Sequence, residues 1–355
     1  MTRATIRLSL LVVLALAFTG FLVGPAAAAQ LAVSVIDVGQ GDSILVQFPD
    51  GQDMLVDAGD RQAGPAVVGY LRSRGVKRID ILVASHPHAD HIGGMPQVLE
   101  AFAVGKVWDN GYVHGSRTQE SFLSTIKAKG IRFGMPKAGF TETVGDVAVA
   151  VLAPQKTPLG GTDSDANNNS LVLRVSYGNV SFLLPGDMES EERATATKWP
   201  RSTVLKVAHH GSHNGTDLAF ANEVSPRYAV ISYGEGNPYG HPHQEAVAAL
   251  EATGAKVLRT AVDGTVVFTT DGTSIAYTTS PSARPRTSRQ AAGVAAGTTA
   301  REATQSETGY IGNLRSKVFH RPSCHSLPAP KNRVTFATRD EAIAQGYRPC
   351  RNCNP

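Results

Sequence analysis

The sequence predicts an α/β protein of two sheets with helices outside them, followed by a small α+β module. Three observations predict it. Short apolar strand runs alternate with helix-period segments from residue 30 to residue 278, the pattern of layered sheet and helix. The stretch TSPSARPRTSRQAAGVAAGTTAREATQSET, residues 279–308, then holds almost no large apolar residue. Beyond it aromatics return together with Cys324, Cys350 and Cys353, which are all the cysteines in the chain.

A chain of 355 residues, 42% hydrophobic and 18% charged, is long enough for one large folded domain and a smaller one. It is neither disordered nor polytopic in composition. Its first element is not part of the fold. Arg3 and Arg7 precede LSLLVVLALAFTGFLV and then PAAAAQ, the charged, apolar and small-residue order of a secretory signal peptide. Residues 1–29 are therefore expected to be removed near Ala29, giving a secreted protein with no stable membrane association. The alternative is an uncleaved anchor, for which the apolar run is short.

From residue 30 the segments LAVSVIDV, DSILVQF and DMLVDAG read as strands separated by Gly and Asp turns. PAVVGYLRSRG reads as a helix, IDILVAS as a buried strand and IGGMPQVLEAF as a further helix. The texture then repeats. DVAVAVLAP, SLVLRVSYG and VSFLLPGD are strands, ESEERATATKW a helix, STVLKVAHH and RYAVISYG strands, and HQEAVAALEATG a helix. Residues 279–308 have the composition of a flexible linker, and 309–355 form the second module.

Charge divides the same way. From Ala283 onward twelve Lys and Arg stand against four Asp and Glu, a surplus of +8 in a chain of net charge +4. Residues 30–282 are then net negative. A basic appendage suits an anionic partner such as nucleic acid or cell-wall polymer, or equally a solvated linker.

The chemistry is concentrated in SHPHADHIGG, residues 85–94, where His86, His88, Asp90 and His91 occupy six positions after a buried strand. A metal held for hydrolysis needs imidazoles or carboxylates and an open coordination position. On such a loop His86 and His88 can converge on one ion while Asp90 and His91 turn to a neighbouring one. Asp187, at the end of the strand VSFLLPGD, is placed to bridge the two with its carboxylate.

HPHADH resembles the HxHxDH signature of the metallo-β-lactamase superfamily. With IDVGQGDSILVQFPDGQDMLVDAG, NNNSLVLRVSYGNVSFLLPGDME, LKVAHHGSHNGT and YGHPH, residues 31 to 275 are similar to the metal-hydrolase domain of ComEC competence proteins. The resemblance implies an αββα sandwich with two divalent metals, zinc or manganese, at one end of the sheets. It implies His86 and His88 on the first metal, Asp90 and His91 on the second, and Asp187 between them. Many members of the superfamily carry a His between the first motif and the bridging Asp, where this chain reads TDSDANNNS. Either an Asn or Asp165 substitutes, or water fills the position. His210 and His241 follow strands that reach the same rim and are candidate ligands. With Asp90 they are the candidate catalytic residues. His209, His213 and His243 either orient substrate or lie on the surface.

FHRPSC and RPCRNC resemble the metal-binding domain at the N-terminus of the Ada DNA-repair protein, with His320 where that family has its first Cys. His320, Cys324, Cys350 and Cys353 would hold one structural zinc, which so small a core needs. The expected function is a secreted dinuclear metallohydrolase, a nuclease or phosphodiesterase acting on extracellular nucleic acid, with DNA favoured. Two alternatives are a hydrolase of a small ester, lactone or lactam, and a non-catalytic DNA-binding protein.

Overall fold

The computed structural model describes residues 30–280 and 309–350, apart from 323, 325, 326, 338–340, 343 and 344. The expected signal segment, nearly all of the expected linker and Cys353 lie outside the described residues.

The chain opens with β1 (Leu31–Val35), β2 (Ile44–Gln47) and β3 (Asp53–Val56), an antiparallel meander. Helix α1 (Gly64–Ser73) leads to β4 (Arg78–Ala84), α2 (Ala89–Ile92) and α3 (Met95–Ala101). After them come β5 (Ala103–Asp109), α4 (Arg117–Ala128) and β6 (Arg132–Gly134). The second half begins with β7 (Thr141–Val144), β8 (Val147–Ala153), β9 (Val172–Tyr177) and β10 (Val180–Leu184). It continues with α5 (Ser190–Arg193), β11 (Val204–Lys206), α6 (Leu218–Val224), β12 (Tyr228–Ile231), α7 (Gln244–Ala252) and β13 (Lys256–Arg259). The hairpin β14 (Val266–Thr270) and β15 (Ile275–Thr279) returns to pair with β1.

Among the described residues eight strands form one sheet in the order β15-β14-β1-β2-β3-β4-β5-β6, and seven form the other as β13-β12-β11-β10-β9-β8-β7. Period-two alternation explains how they stack. Ile44, Val46, Ile81 and Val83 face Val149, Leu173, Phe182 and Val204 of the opposite sheet in one core. Their neighbours Leu45, Leu55 and Leu82 point outward under α1, α3 and α4. Leu183, Leu205 and Ala229 do the same under α6 and α7. Strands covered on both faces read as unbroken apolar runs. The result is the expected αββα sandwich.

Two expected helices are shorter than their patterns. The helix after the His-rich loop starts at Met95, because the chain makes a separate turn through Gly93 and Gly94. Only one turn, α5, forms within ESEERATATKW. Glu189 and Glu192 are buried there in place of a solvated face, and the Trp199 indole N–H donates to the Arg193 carbonyl at 3.0 Å, ending the turn.

Strands β3 to β6 are mutually parallel, as are β10 to β13. The loops leaving the carboxyl ends of β3, β4, β10, β11 and β12 therefore carry the site described next. The C-terminal module is a small sheet, β16 (Tyr310–Asn313), β17 (Val318–His320), β18 (Arg333–Phe336) and β19 (Arg348–Pro349), in the order β18-β16-β17-β19. Its buried apolar cluster is Phe319, Phe336, Ala342 and Tyr347. No helix among the described residues is long and apolar enough to cross a membrane.

Candidate metal centre

The turn after β4 presents His86 and His88, and α2 presents Asp90 and His91. Gly41, at φ 115°, lets the β1–β2 loop approach closely: the Asp42 N–H donates to the Asp90 carbonyl at 3.2 Å, and a Cβ on Gly41 would overlap that carbonyl. Asp187 follows β10 and is 2% exposed. Beyond β11 the backbone turns left-handed at His209 (φ 48°) and His210 (φ 54°), conformations that L-residues adopt only under constraint. That turn aims His210 into the centre.

Asp187 Oδ2 is the hub. It lies 3.2 Å from His91 Nε2, 3.2 Å from His210 Nε2, 3.7 Å from His86 Nε2 and 3.9 Å from His209 Nε2. Asp90 Oδ2 lies 3.4 Å from His210 Nε2 and 4.0 Å from His91 Nε2. His86 Nε2 and His88 Nδ1 are 3.0 Å apart on the other side. Donor atoms of Asp42, His91, Asp187 and His210 all fall within 4.8 Å of one another, and all four residues are buried.

The far side of each ring is held. Asp57 Oδ2 accepts from His91 Nδ1 at 2.8 Å, while its carboxylate also takes the Ser85 N–H at 2.9 Å and hydroxyl at 2.6 Å. His210 Nδ1 donates to the Ser232 carbonyl at 2.9 Å. The Ser85 hydroxyl is 3.1 Å from His86 Nδ1. Such partners fix the ring so that Nε2 faces a metal.

The electrostatics fit a cation. Burial, the largest influence, would lower the His91 and His210 pKa values, but the carboxylates outweigh it. His91 is raised well above its ordinary value by Asp187, Asp57 and Asp90, and His210 is raised to about 9, chiefly by Asp187. Asp90 is lowered against its own burial by His91 and His210. The carboxylates demand positive charge at this point. Asp187 Oδ1 is moreover buried with no hydrogen-bond partner among the described residues, a cost that a metal offsets.

The structure thus groups His86, His88, Asp90, His91, Asp187 and His210 around one cleft. His241 stands one ring further out, its centroid 5.3 Å from His209 and 6.2 Å from His210. Burial first, then His209 and His210, lower it to about 3, so its ring is neutral; its Nδ1 is buried with no hydrogen-bond partner among the described residues. His213 and His243 face each other at 3.0 Å on the exposed rim. In the segment without a His, Asn168 and Asn169 are engaged with Glu189, Leu159 and the Asp165 carbonyl. The Asp165 carboxylate accepts from Thr162 and Gly161. Asn167 donates to Glu189 at 2.8 Å and keeps a buried Oδ1 with no hydrogen-bond partner among the described residues.

Four participants were not singled out in the sequence. Asp42 and Asp57 read there as parts of the strand segments DSILVQF and DMLVDAG, Lys206 as part of a strand, and His114 not at all. Lys206 is 1% exposed, is ion-paired with Asp42, and places Nζ 3.8 Å from Asp187 Oδ1. Asp42 in turn lies on the Nδ1 side of His91 and His210, at 3.9 and 3.6 Å. The His114 ring is 5.3 Å from that of His88 at the cleft edge. The usable signal was Asp57, at the end of the strand paired with the one that feeds the His loop.

In the C-terminal module His320, Cys324 and Cys350 are buried with ligand atoms within 4.8 Å of one another, and His320 Nδ1 is 3.4 Å from Cys324 Sγ. Cys353, the fourth expected ligand, lies outside the described residues.

The family model of the metallo-beta-lactamase superfamily matches residues 36–235, and that of the metal binding domain of Ada matches residues 294–355. The chain is 31% identical over 265 residues to ComE operon protein 3 of Bacillus subtilis, covering 69% of this chain and 34% of that protein. It is 33% identical over 244 residues to competence protein ComA of Neisseria gonorrhoeae, covering 67% and 32%. Among solved structures it is similar to the metallo-beta-lactamase fold protein YhfI from Bacillus subtilis, at 15% identity and TM-score 0.47, over 68% of this chain and 100% of that one. The chain spans about a third of the length of the curated relatives it matches.

Proposed function

This chain belongs to the metallo-β-lactamase superfamily, and from that premise we propose that it is a secreted phosphodiesterase that cleaves nucleic acid, DNA in particular. The coarser statement needs no proposal: it is a metal-dependent hydrolase related to competence proteins, with a C-terminal Ada zinc-binding domain. The observation that carries the finer reading is the junction, in one chain, of a site organised around Asp187 Oδ2 with a basic metal-binding module similar to a DNA-contacting one.

His86 and His88 would hold one divalent ion, Asp90, His91 and His210 a second, with Asp187 between them. When bound, such ions supply Lewis acidity to phosphoryl oxygens and lower the pKa of water. Asp57, Ser85 and the Ser232 carbonyl keep each Nε2 turned inward. Lys206 neutralises Asp42 behind the ligands. His209, with Nδ1 3.2 Å from Glu189 and Nε2 3.9 Å from Asp187, stands at the cleft where it can contact a substrate oxygen. The second module and the N-terminal segment support a role outside the cell on a polyanion.

The test is metal analysis of the purified full chain together with digestion of labelled single- and double-stranded DNA. Cleavage that stops on chelation and returns with manganese or zinc is expected. Hydrolysis of a small ester or lactam with no phosphodiester cleaved would overturn the substrate class, and DNA binding with no hydrolysis of any kind would overturn catalysis. N-terminal sequencing of the protein from culture medium tests export, with a start near Gln30 expected.

A further inference from the structure

A groove of about 760 Å³ runs along the outside of the first sheet between α1, α3 and α4. Its lining combines Pro65, Val68 and Pro96 with Arg61, Arg72 and Arg117. All three arginines are exposed, and none is ion-paired among the described residues. The carboxylate that lines the groove, Glu100, is paired with Lys129 at 3.5 Å. The groove therefore presents unbalanced positive charge on a domain whose sequence is net negative.

The groove shares chain segments with the metal centre. Gly93, in its wall, lies two residues beyond His91. Arg117 lies three residues beyond His114, whose ring stands 5.3 Å from that of His88. Arg61 precedes α1 and Arg72 lies in its last turn, so their backbone positions are about 15 Å apart at helical rise. That separation lets Arg61 and Arg72 meet different phosphates of one strand.

We infer that this groove seats the phosphodiester backbone of a nucleic-acid strand whose scissile bond lies at the metal centre, with Arg61, Arg72 and Arg117 as its phosphate contacts. The inference rests on the phosphodiesterase reading above. Contacts to phosphate alone carry no sequence preference, but they are strongly salt-dependent. The C-terminal tail would add affinity without fixing where the strand enters the cleft. The groove fixes it.

The experiment compares the full chain with Arg61→Glu/Arg72→Glu/Arg117→Glu and with Arg61→Gln/Arg72→Gln/Arg117→Gln, all keeping their tails. Binding of a short labelled single-stranded DNA is followed by anisotropy against salt, and hydrolysis of a small chromogenic phosphodiester is followed in parallel. Binding should weaken by at least about tenfold at low salt and the log–log salt slope should fall by about 2, the share of three phosphate contacts on a single strand. Small-diester hydrolysis should be unchanged. DNA affinity and slope equal to the parent in both variants would overturn the inference, as would loss of folding in both, which would make the arginines structural. If the parent hydrolyses no phosphodiester while the variants still lose DNA affinity, the catalytic reading fails and the groove stands as a nucleic-acid seat.

Discussion

The ammonium of Lys206 and the carboxylate of Asp42, each 1% exposed, form an ion pair on the Nδ1 side of the candidate metal ligands His91 and His210. Two charges taken out of water are tolerable only together, and removing one leaves the other uncompensated at a cost of about 3–5 kcal/mol. Lys206→Met should destabilise the protein by that amount in urea unfolding. The double variant Lys206→Met/Asp42→Asn should regain most of it. A stable single variant would show that Asp42 finds another partner.

Asp187→Asn removes the oxygen charge toward which His91, His210 and His86 converge. Hydrolysis should be abolished and metal content should fall for the whole centre, read by elemental analysis after gel filtration. Full activity with unchanged metal content would end the bridging assignment.

Asp57 touches no substrate, yet it orients His91 and is tied to the chain through Ser85. Replacing a partner of this kind lowers metal affinity by about 10–100-fold. Competition titration of Asp57→Ala with a chelating dye reads it. An affinity equal to the parent would make Asp57 a purely structural turn residue.

Asp109, at the end of β5 and 5% exposed, is pushed up from 3.8 to about 6 by burial, against the Gly111 N–H and Lys137. A carboxyl group whose folded pKa is raised gives stability that is full below its unfolded pKa and is lost as pH rises through its folded pKa. Over that window the loss is about 3 kcal/mol, and about half of it falls between about pH 5 and about pH 7.5. Asp109→Asn lacks this loss, so its stability relative to the parent should rise with pH. Urea unfolding at the two pH values checks it, and a constant difference would rule it out.

The C-terminal module buries Phe319, Phe336, Ala342 and Tyr347 around His320, Cys324 and Cys350. So few apolar groups need a metal to stay folded. Chelator, or Cys350→Ser, should expose residues 309–355 to limited proteolysis while a fragment ending near residue 280 survives. Equal resistance with and without metal would contradict the staple.

The sandwich and the His loop were legible because their signals are local. HPHADH places four donors in six residues, and strands such as VSFLL announce burial on both faces. Asp57 was not legible, since its meaning depends on Ser85 and His91, 28 and 34 positions away. Lys206 was hidden by its own strand: in VLKV a lysine reads as solvent-facing, and only the arrival of Asp42 from the other sheet turns it inward. The short α5 was over-read for the same reason, because Glu189 before it and Glu192 within it answer to Asn167, Asn168 and Ser170 and not to the helix.

Within a strand, consecutive side chains serve opposite faces, so two adjacent histidines ordinarily cannot share a cleft. Leaving β11 through two left-handed residues cancels that parity: His210 meets Asp187 at 3.2 Å while His209 meets Glu189 at 3.2 Å. Two compartments of one cleft are thereby wired to a single dipeptide, and their separation is set by backbone angles that side-chain repacking cannot adjust. Any insertion or deletion at this point would detune both at once.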